Sequence, residues 1–234
     1  EADEFNRTFL ELSPTIAVIN NIDLEHIDCY DSLEDLKDAF TQFANSVPFY
    51  GMVSICKDSQ NAASIIPLID KPIVTYGIES DNVDFKAINI IHDNGTVAFD
   101  LIHENKSYAF SMIVPGSYNI LNALAAISVC KTMGLSIQRI SESLKSFSGV
   151  KRRFDIKTHS EKLTIIDDYA HHPVEVFSVI EAVKSNWTRR LVVIFQPHLY
   201  SRTKEFYKDF AESLLGADVV FITEIFHSLC PNEN

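Results

Sequence analysis

The chain has 234 residues, 46% hydrophobic and 22% charged, which is enough apolar material for one large domain or two smaller ones. Its formal charge of -12 argues against nucleic acid as the main partner, because binding a phosphate backbone needs a basic surface. The four cysteines are far apart without a CxxC pair, so they indicate neither a disulfide framework nor a structural zinc, and they favour a reducing cytoplasm.

The chain also shows no sign of a membrane segment. No apolar stretch approaches the length of a membrane span, and no basic and then apolar leader opens the sequence. The first residue is Glu1 and not a methionine, so we expect a fragment. The oligomeric state is left open by the sequence.

The first part of the chain has the pattern of an α/β domain. Residues 15–22 form a β-branched apolar run typical of a buried strand, and Ser32 opens a helix that Pro48 should end. Residues 51–56 predict the next strand, and residues 61–66 predict a short helix.

Between residues 73 and 114 the pattern changes to short alternating strands. The Asn94 and Gly95 pair between two apolar runs is a strong hairpin signal. We therefore predict a small antiparallel patch that follows the α/β core.

Two helices and a domain boundary are predicted next. Ser117 leads into a helix that ends at Gly134, and a second helix covers residues 137–147. A fresh series of strand, helix, strand, helix and strand begins after Arg153. We expect one domain over residues 1–153 and another over residues 154–234.

Several polar groups in the first domain could bind a nucleotide. Asn119 and Asn122 are three positions apart, so both lie on one helix face, where an amide could pair with an adenine edge or simply cap the helix. Glu1 and His26 could hold magnesium, although an acidic loop without a metal is the simpler interpretation. Arg153 could neutralise a transferring phosphoryl group or belong to a solvated basic turn.

Two apolar runs in the second domain end in polar clusters. The first run is followed by Asp168, Tyr169, His171 and His172, and the second, LVVIF, by QPH with His198 and then a loop with Arg202. Parallel strand ends bind small ligands in open α/β folds, a histidine can move a proton near neutral pH, and an arginine fits a carboxylate. A small amino acid is the implied ligand, and a zinc site using the three histidines is an alternative.

Six ordered motifs give the chain a family resemblance. They are EADE at 1–4, NIDLEHID at 21–28, PGSYNILNALAA at 115–126, GVKRRFD at 149–155, DDYAHHP at 167–173 and FQPHLYSRT at 195–203. Together they resemble the Mur ligases over nearly the whole chain. The resemblance implies an α/β fold, with an incomplete central ATPase-type domain, containing a mixed sheet and an antiparallel patch, and a truncated Rossmann-like C-terminal domain.

The resemblance also implies an activity and roles for the residues. It implies a bacterial cytoplasmic enzyme of peptidoglycan synthesis that uses ATP and Mg2+ to join L-alanine to the lactyl carboxylate of UDP-N-acetylmuramate through an acyl phosphate. By this resemblance the nucleotide and the metal would be bound by Asn119, Asn122, Asp168, Arg153, Glu1 and His26. The incoming alanine would be surrounded by Tyr169, His171, His198 and Arg202.

Some features depart from the family pattern and leave alternatives open. Leu199 stands where many members carry a second basic residue, so alanine binding should depend on Arg202, and the tail after Glu224 lacks the expected charged run. No GxxxxGK[ST] phosphate loop occurs in the chain, so we expect this polypeptide alone to be inactive. A ligase for recycled murein peptide, a folate-type glutamate ligase and a noncatalytic nucleotide-binding remnant are the other candidates.

Overall fold

The structure is a computed structural model that describes residues 2–23 and 29–226. The predicted metal ligands Glu1 and His26 lie outside the described residues. The chain divides into two compact units: one contains the chain up to Ile91, Ala98–Met112 and Tyr118–Ser146, and the other contains His92–Val97, Ile113–Ser117 and the chain from Phe147 onward. No helix in the described part of the chain is both long and apolar enough to span a bilayer.

A six-stranded sheet forms the centre of the first unit. Its strands follow one another in chain order and are β1 (Ile16–Ile19), β2 (Met52–Cys56), β3 (Ile73–Gly77), β4 (Phe85–Asp93), β5 (Thr96–His103) and β6 (Lys106–Met112). The pairs β1 with β2, β2 with β3 and β3 with β4 are parallel, the last over two residue pairs only. The mixed sheet predicted from the sequence is therefore confirmed.

Two tight turns add the last strands to this sheet. Asn94 and Gly95 connect β4 to β5, and Glu104 and Asn105 connect β5 to β6, all four with positive φ. Positive φ at both central residues is the type I′ geometry that matches the twist of a hairpin. The hairpin predicted at Asn94 and Gly95 is confirmed, and the antiparallel strands extend the same sheet as the parallel ones.

Helices and buried side chains complete the first unit. The helices are α1 (Leu33–Asn45), α2 (Gln60–Ser64), α3 (Ser117–Thr132) and α4 (Ile137–Lys145), with 3-10 segments at Phe5–Glu11 and Ile66–Leu68. Ser32 caps α1 by accepting the Asp35 N–H, as its position before the helix predicts. The helix predicted over residues 61–66 ends at Ser64, and Pro67 lies inside a 3-10 turn, where its missing N–H leaves no hydrogen bond unmade.

Helix α3 is tied to the sheet by a buried polar contact as well as by apolar packing. Ile120, Leu124 and Ile127 are fully buried, and the hydroxyls of Ser54 on β2 and Ser128 on α3 are 2.6 Å apart. Gly134 follows the helix with a φ of 89°, a left-handed residue that ends a helix without strain. The predicted end of this helix is confirmed.

The described part of the second unit contains two pairs of strands, two α-helices and a 3-10 segment at Leu214–Gly216. The strands and α-helices are β7 (Asp155–His159), β8 (Thr164–Asp167), α5 (Pro173–Asn186), β9 (Val192–Phe195), α6 (Tyr200–Ser213) and β10 (Val219–Ile222). Strands β7 and β8 are antiparallel, and β9 and β10 are parallel. The predicted series missed β7, whose DIKTH sequence has no apolar pattern strong enough to indicate a strand.

The start of α6 corrects one prediction about the second unit. Arg202 was predicted on a loop, but it lies in the first turn of α6, whose N-terminal flanking residue is Leu199. Phe210 is buried in the core between α5 and β9 and Phe206 packs against that core, although Phe206 has non-helical backbone angles that kink α6. Arg202 therefore lies in a helical turn before this kink.

Candidate functional site

The ends of strands β8 and β9 bring together three of the predicted site residues. The rings of His171 and His198 are 6.2 Å apart and nearly perpendicular, and the Tyr169 ring is 4.9 Å from that of His171. We call Tyr169, His171 and His198 the histidine cluster. Two segments more than twenty residues apart in sequence thus form one small surface, although β8 pairs antiparallel with β7, and β9 pairs with β10 in a separate two-stranded sheet.

The two histidines of this cluster have different surroundings. Nδ1 of His171 donates to the Tyr169 carbonyl oxygen at 2.8 Å, so Nε2 is the ring nitrogen left to meet a ligand. Burial, with the positive charge of Arg202 and then that of His171, lowers the pKa of His198. The lowered pKa favours the neutral form of His198, and its buried Nδ1 has no hydrogen-bond partner among the described residues.

A glutamate that sequence reasoning missed holds the turn of the histidine cluster. The Glu175 carboxylate accepts the backbone N–H groups of His171 at 2.9 Å and His172 at 3.2 Å, and it pairs with the Arg153 guanidinium at 3.2 Å. Burial acts to raise the pKa of Glu175, but these hydrogen bonds and positive charges outweigh it and lower the pKa. The missed signal was a glutamate three residues after His172, which is the spacing of a capping box.

Asp168, predicted to bind ribose hydroxyls, supports the backbone in this structure. Its two carboxylate oxygens accept the N–H groups of Phe154 and Ala170, each at 2.7 Å. Burial raises its pKa. Each oxygen keeps a second lone pair, so these two bonds leave it able to accept from a ligand hydroxyl.

Two arginines extend this surface from the turn before β7. The guanidinium carbon of Arg152 lies 4.7 Å from the centre of the Tyr169 ring, and that of Arg153 lies 5.8 Å from it. Since the Arg153 side chain is 51% exposed, its charge remains accessible to an anion despite the contact with Glu175. The geometry fits a cationic patch beside the histidine cluster.

The described residues provide no set of side chains that matches the zinc alternative. His172 is 7% exposed, and its ring packs edge-on against Phe206 at 5.1 Å. In the described ranges, no three His, Cys, Asp or Glu side chains group in a way that could hold a metal ion.

A second polar group lies in the first unit, where α3 begins beside the end of β1. Nδ2 of Asn122 lies 3.5 Å from Oδ1 of Asn119, so the two amides share one face as predicted. Asn20, which directly follows β1, donates to Oδ1 of Asn122 at 3.2 Å and accepts from the Tyr76 hydroxyl at 2.5 Å. We call Asn20, Asn119 and Asn122 the amide cluster. Nothing in the sequence pattern indicated that Asn20 belongs to this cluster or that Tyr76 contacts it.

Family comparisons match both units of the chain. Residues 2–130 match the Mur ligase middle domain, and residues 152–232 match the Mur ligase glutamate ligase domain. The UDP-N-acetylmuramate--L-alanine ligase of Geotalea daltonii is 43% identical over 227 residues, which are 97% of this chain and 49% of that protein. The corresponding ligase of Pelodictyon phaeoclathratiforme is 43% identical over 97% of this chain and 48% of its own length.

Two solved structures share the fold of the chain. The UDP-N-acetylmuramate-alanine ligase MurC of Thermotoga maritima has a TM-score of 0.79 and 29% identity over 97% of this chain and 49% of its own. MurF of Thermotoga maritima, in complex with ADP, has a TM-score of 0.76 and 19% identity over 89% of this chain and 48% of its own, which shows the same fold. The chain spans about half the length of the relatives it matches.

Proposed function

Because the chain belongs to the Mur ligase family, we propose that it is part of an enzyme that joins L-alanine to the lactyl carboxylate of UDP-N-acetylmuramate, with ATP, through an acyl phosphate. The names of the relatives that are 43% identical over 97% of the chain support this substrate pair. We place the reaction in peptidoglycan precursor synthesis in a bacterial cytoplasm.

The observation that carries the proposal is the meeting of His171 and His198 at the ends of two different strands, 6.2 Å apart. The alanine amine must lose a proton before it can attack the acyl phosphate, and a neutral histidine is a suitable recipient. The lowered pKa of His198 keeps it in the accepting form. In our proposal Arg202 binds the alanine carboxylate, and Tyr169 forms the side of the pocket.

Nucleotide binding is proposed for the remaining predicted residues. Asn119 and Asn122 would read the adenine edge, Asp168 would accept the ribose hydroxyls, and Arg153 would face the γ-phosphate. Glu1 and His26 would hold Mg2+, which supplies Lewis acid polarisation of the phosphate and carboxylate oxygens when it is bound.

We also propose that the division between the two domains lies at Arg153 and Phe154. A tight turn at this point supports it, since Arg153 N–H bonds to the Val150 carbonyl at 3.1 Å and both Arg152 and Phe154 have positive φ. We further propose that the 234 residues by themselves do not turn over, because they contain no phosphate loop.

The proposed function is tested by measuring phosphate release. The assay contains ATP, Mg2+, UDP-N-acetylmuramate and alanine, with either this chain or an extended protein that adds the region encoded upstream of Glu1. We expect turnover from the extended protein only. If a murein peptide replaces alanine with higher kcat/KM, the ligase for recycled peptide is the correct assignment, and the absence of turnover with either amine contradicts the proposal.

A further inference from the structure

The amide cluster is connected to one buried phenol, and we propose that Tyr76 and Asn20 are positioning residues that fix which way the amides of Asn119 and Asn122 point. This inference rests on the proposed function, in which those two amides read adenine. It adds two residues to that role and a reason for selectivity between purine nucleotides.

Tyr76 provides a fixed starting point for this arrangement. The residue is 0% exposed, and its hydroxyl donates to Oδ1 of Asn20 at 2.5 Å. Burial raises the pKa of Tyr76, so the phenol keeps its proton at every physiological pH. A buried hydroxyl must have a partner, and the nearest alternative acceptor, the Ile19 carbonyl, lies at 3.4 Å.

The direction set at Tyr76 is passed along the surface amides. With its oxygen toward the phenol, Asn20 turns its Nδ2 toward Oδ1 of Asn122 at 3.2 Å. Asn122 in turn directs its Nδ2 toward Oδ1 of Asn119, at 3.5 Å. Asn20 and Asn122 are exposed, where an unrestrained amide could present either its oxygen or its nitrogen to a ligand.

A fixed direction matters because adenine and guanine differ in their polar groups. Adenine presents the N7 acceptor beside the N6 amino donor, whereas guanine presents acceptors at both N7 and O6. An amide has one acceptor and one donor group, so it pairs with both groups of adenine in one direction only, whereas it matches one group of guanine in either direction. Fixing the direction of the amide therefore strengthens adenine binding and gains nothing for guanine. A site with paired groups rejects the wrong partner strongly, since the mismatch leaves polar groups unpaired.

The experiment compares Tyr76→Phe and Asn20→Ala with the unmodified extended protein, using ATP and GTP as alternative nucleotides. Both variants break the connection, since Tyr76→Phe removes the buried hydroxyl and Asn20→Ala removes the exposed amide that accepts from it. We expect the ratio of kcat/KM for ATP to that for GTP to fall about fivefold or more, mainly through a higher KM for ATP, with kcat changing less than about twofold.

Ser128→Ala is the matched control. Ser128 lies on the same helix and its hydroxyl makes a buried contact with that of Ser54, so its loss loosens α3 without touching the amide cluster. We expect this variant to lower thermal stability and leave the ATP to GTP ratio unchanged. A ratio that falls equally in Ser128→Ala and Tyr76→Phe overturns the inference, because loosening of the helix would then explain both.

Asn122→Ala separates this inference from the proposed function. If Asn122→Ala raises the KM for ATP but Tyr76→Phe and Asn20→Ala keep the unmodified ratio, the amides read adenine and the positioning role is wrong. If Asn122→Ala and Asn119→Ala both leave the KM for ATP unchanged, the adenine site and the positioning role fail together. A reduced ratio in all variants except Ser128→Ala supports the inference.

Discussion

The amide cluster and the histidine cluster are held in place by different physical means. The amides are connected to Tyr76, a fully buried neutral group under an exposed surface. The histidine turn is held instead by the Glu175 carboxylate and by backbone bonds around two strand ends. The first arrangement does not titrate in the physiological range, whereas the second depends on charge, so pH should affect the two sites differently.

The largest expected effect comes from His198→Gln in the extended protein. Glutamine keeps the polar character and approximate size but cannot accept the amine proton, so we expect kcat to fall about 100-fold or more. Since the pKa of His198 is lowered from 6.5, kcat/KM of the unmodified protein should stay level above pH 6.5 and fall in more acidic solution. Steady-state kinetics from pH 5 to 9 measure the loss of kcat and the pH profile of kcat/KM, since this range includes the ordinary pKa of histidine.

His172→Gln is the control for this change, since the His172 ring packs against Phe206 and our proposal assigns no proton transfer to it. A loss of activity in His172→Gln as large as in His198→Gln would contradict the assignment of the base. A His198→Gln variant with an unchanged acid limb would contradict it as well.

The next effect concerns the charge that holds the histidine turn. Glu175→Gln should cost about 1.5 to 3 kcal/mol of the free energy of unfolding, because the partly buried carboxylate accepts two backbone N–H groups and pairs with the Arg153 guanidinium. A lowered carboxyl pKa gives stability that is present above the unfolded value, near 4.5, and is lost as pH falls through the folded value. Urea unfolding at pH 7 and at lower pH measures this free energy of unfolding and its loss in acid.

Glu181→Gln is the matched control on the same helix. Glu181 is 52% exposed and pairs only loosely with Lys184 at 3.8 Å, so its loss should change stability by less than about 0.5 kcal/mol. If the two variants have equal stability at pH 7, the Glu175 carboxylate does not hold the turn.

The first unit also contains a carboxylate that holds a loop through backbone N–H groups. Asp58 accepts the backbone N–H groups of Ile78, Glu79 and Ser80 at 2.6 to 3.2 Å in the loop between β3 and β4. Burial acts to raise its pKa, but these bonds outweigh it and lower the pKa, so its contribution is present above an unfolded value near 3.8 and lost at more acidic pH.

Asp58→Asn should therefore lower the free energy of unfolding by about 1 to 2 kcal/mol at pH 7 without changing the KM for ATP, since Asp58 is not part of the amide cluster. Urea titration and nucleotide kinetics measure the two quantities. A strong change in the KM for ATP would show that the two regions of the first unit are coupled. Asp70→Asn, at a mainly exposed position, is the control.

The smallest expected effect is at Leu199, which has a φ of 65° next to the histidine cluster. A left-handed conformation costs a leucine about 1 to 2 kcal/mol, and the extra chain entropy of glycine offsets about 0.5 to 1 of it. Leu199→Gly should therefore raise the free energy of unfolding by at most about 1.5 kcal/mol in thermal melts. Leu199→Ala keeps the backbone cost, so an equal gain in that variant would contradict the explanation.

Local signals predicted the elements that depend on neighbouring residues. The Ser32 cap, the hairpin at Asn94 and Gly95 and the end of α3 at Gly134 each depend on a few adjacent side chains and their backbone preferences. The local signals failed for β7, because its residues DIKTH show no regular alternation of apolar and polar side chains and the strand pairs with β8. They also placed Arg202 on a loop, although it lies in the first turn of α6.

The sequence by itself determined the family, the α/β class and the two strand ends that carry histidines, because ordered motifs and apolar periods are properties of the chain alone. Only the tertiary structure decided that Glu175 holds the histidine turn and that Tyr76 contacts Asn20 across 56 residues. Hydrogen bonds between distant segments depend on how the chain packs, and no local pattern specifies the partner of a given carboxylate or hydroxyl.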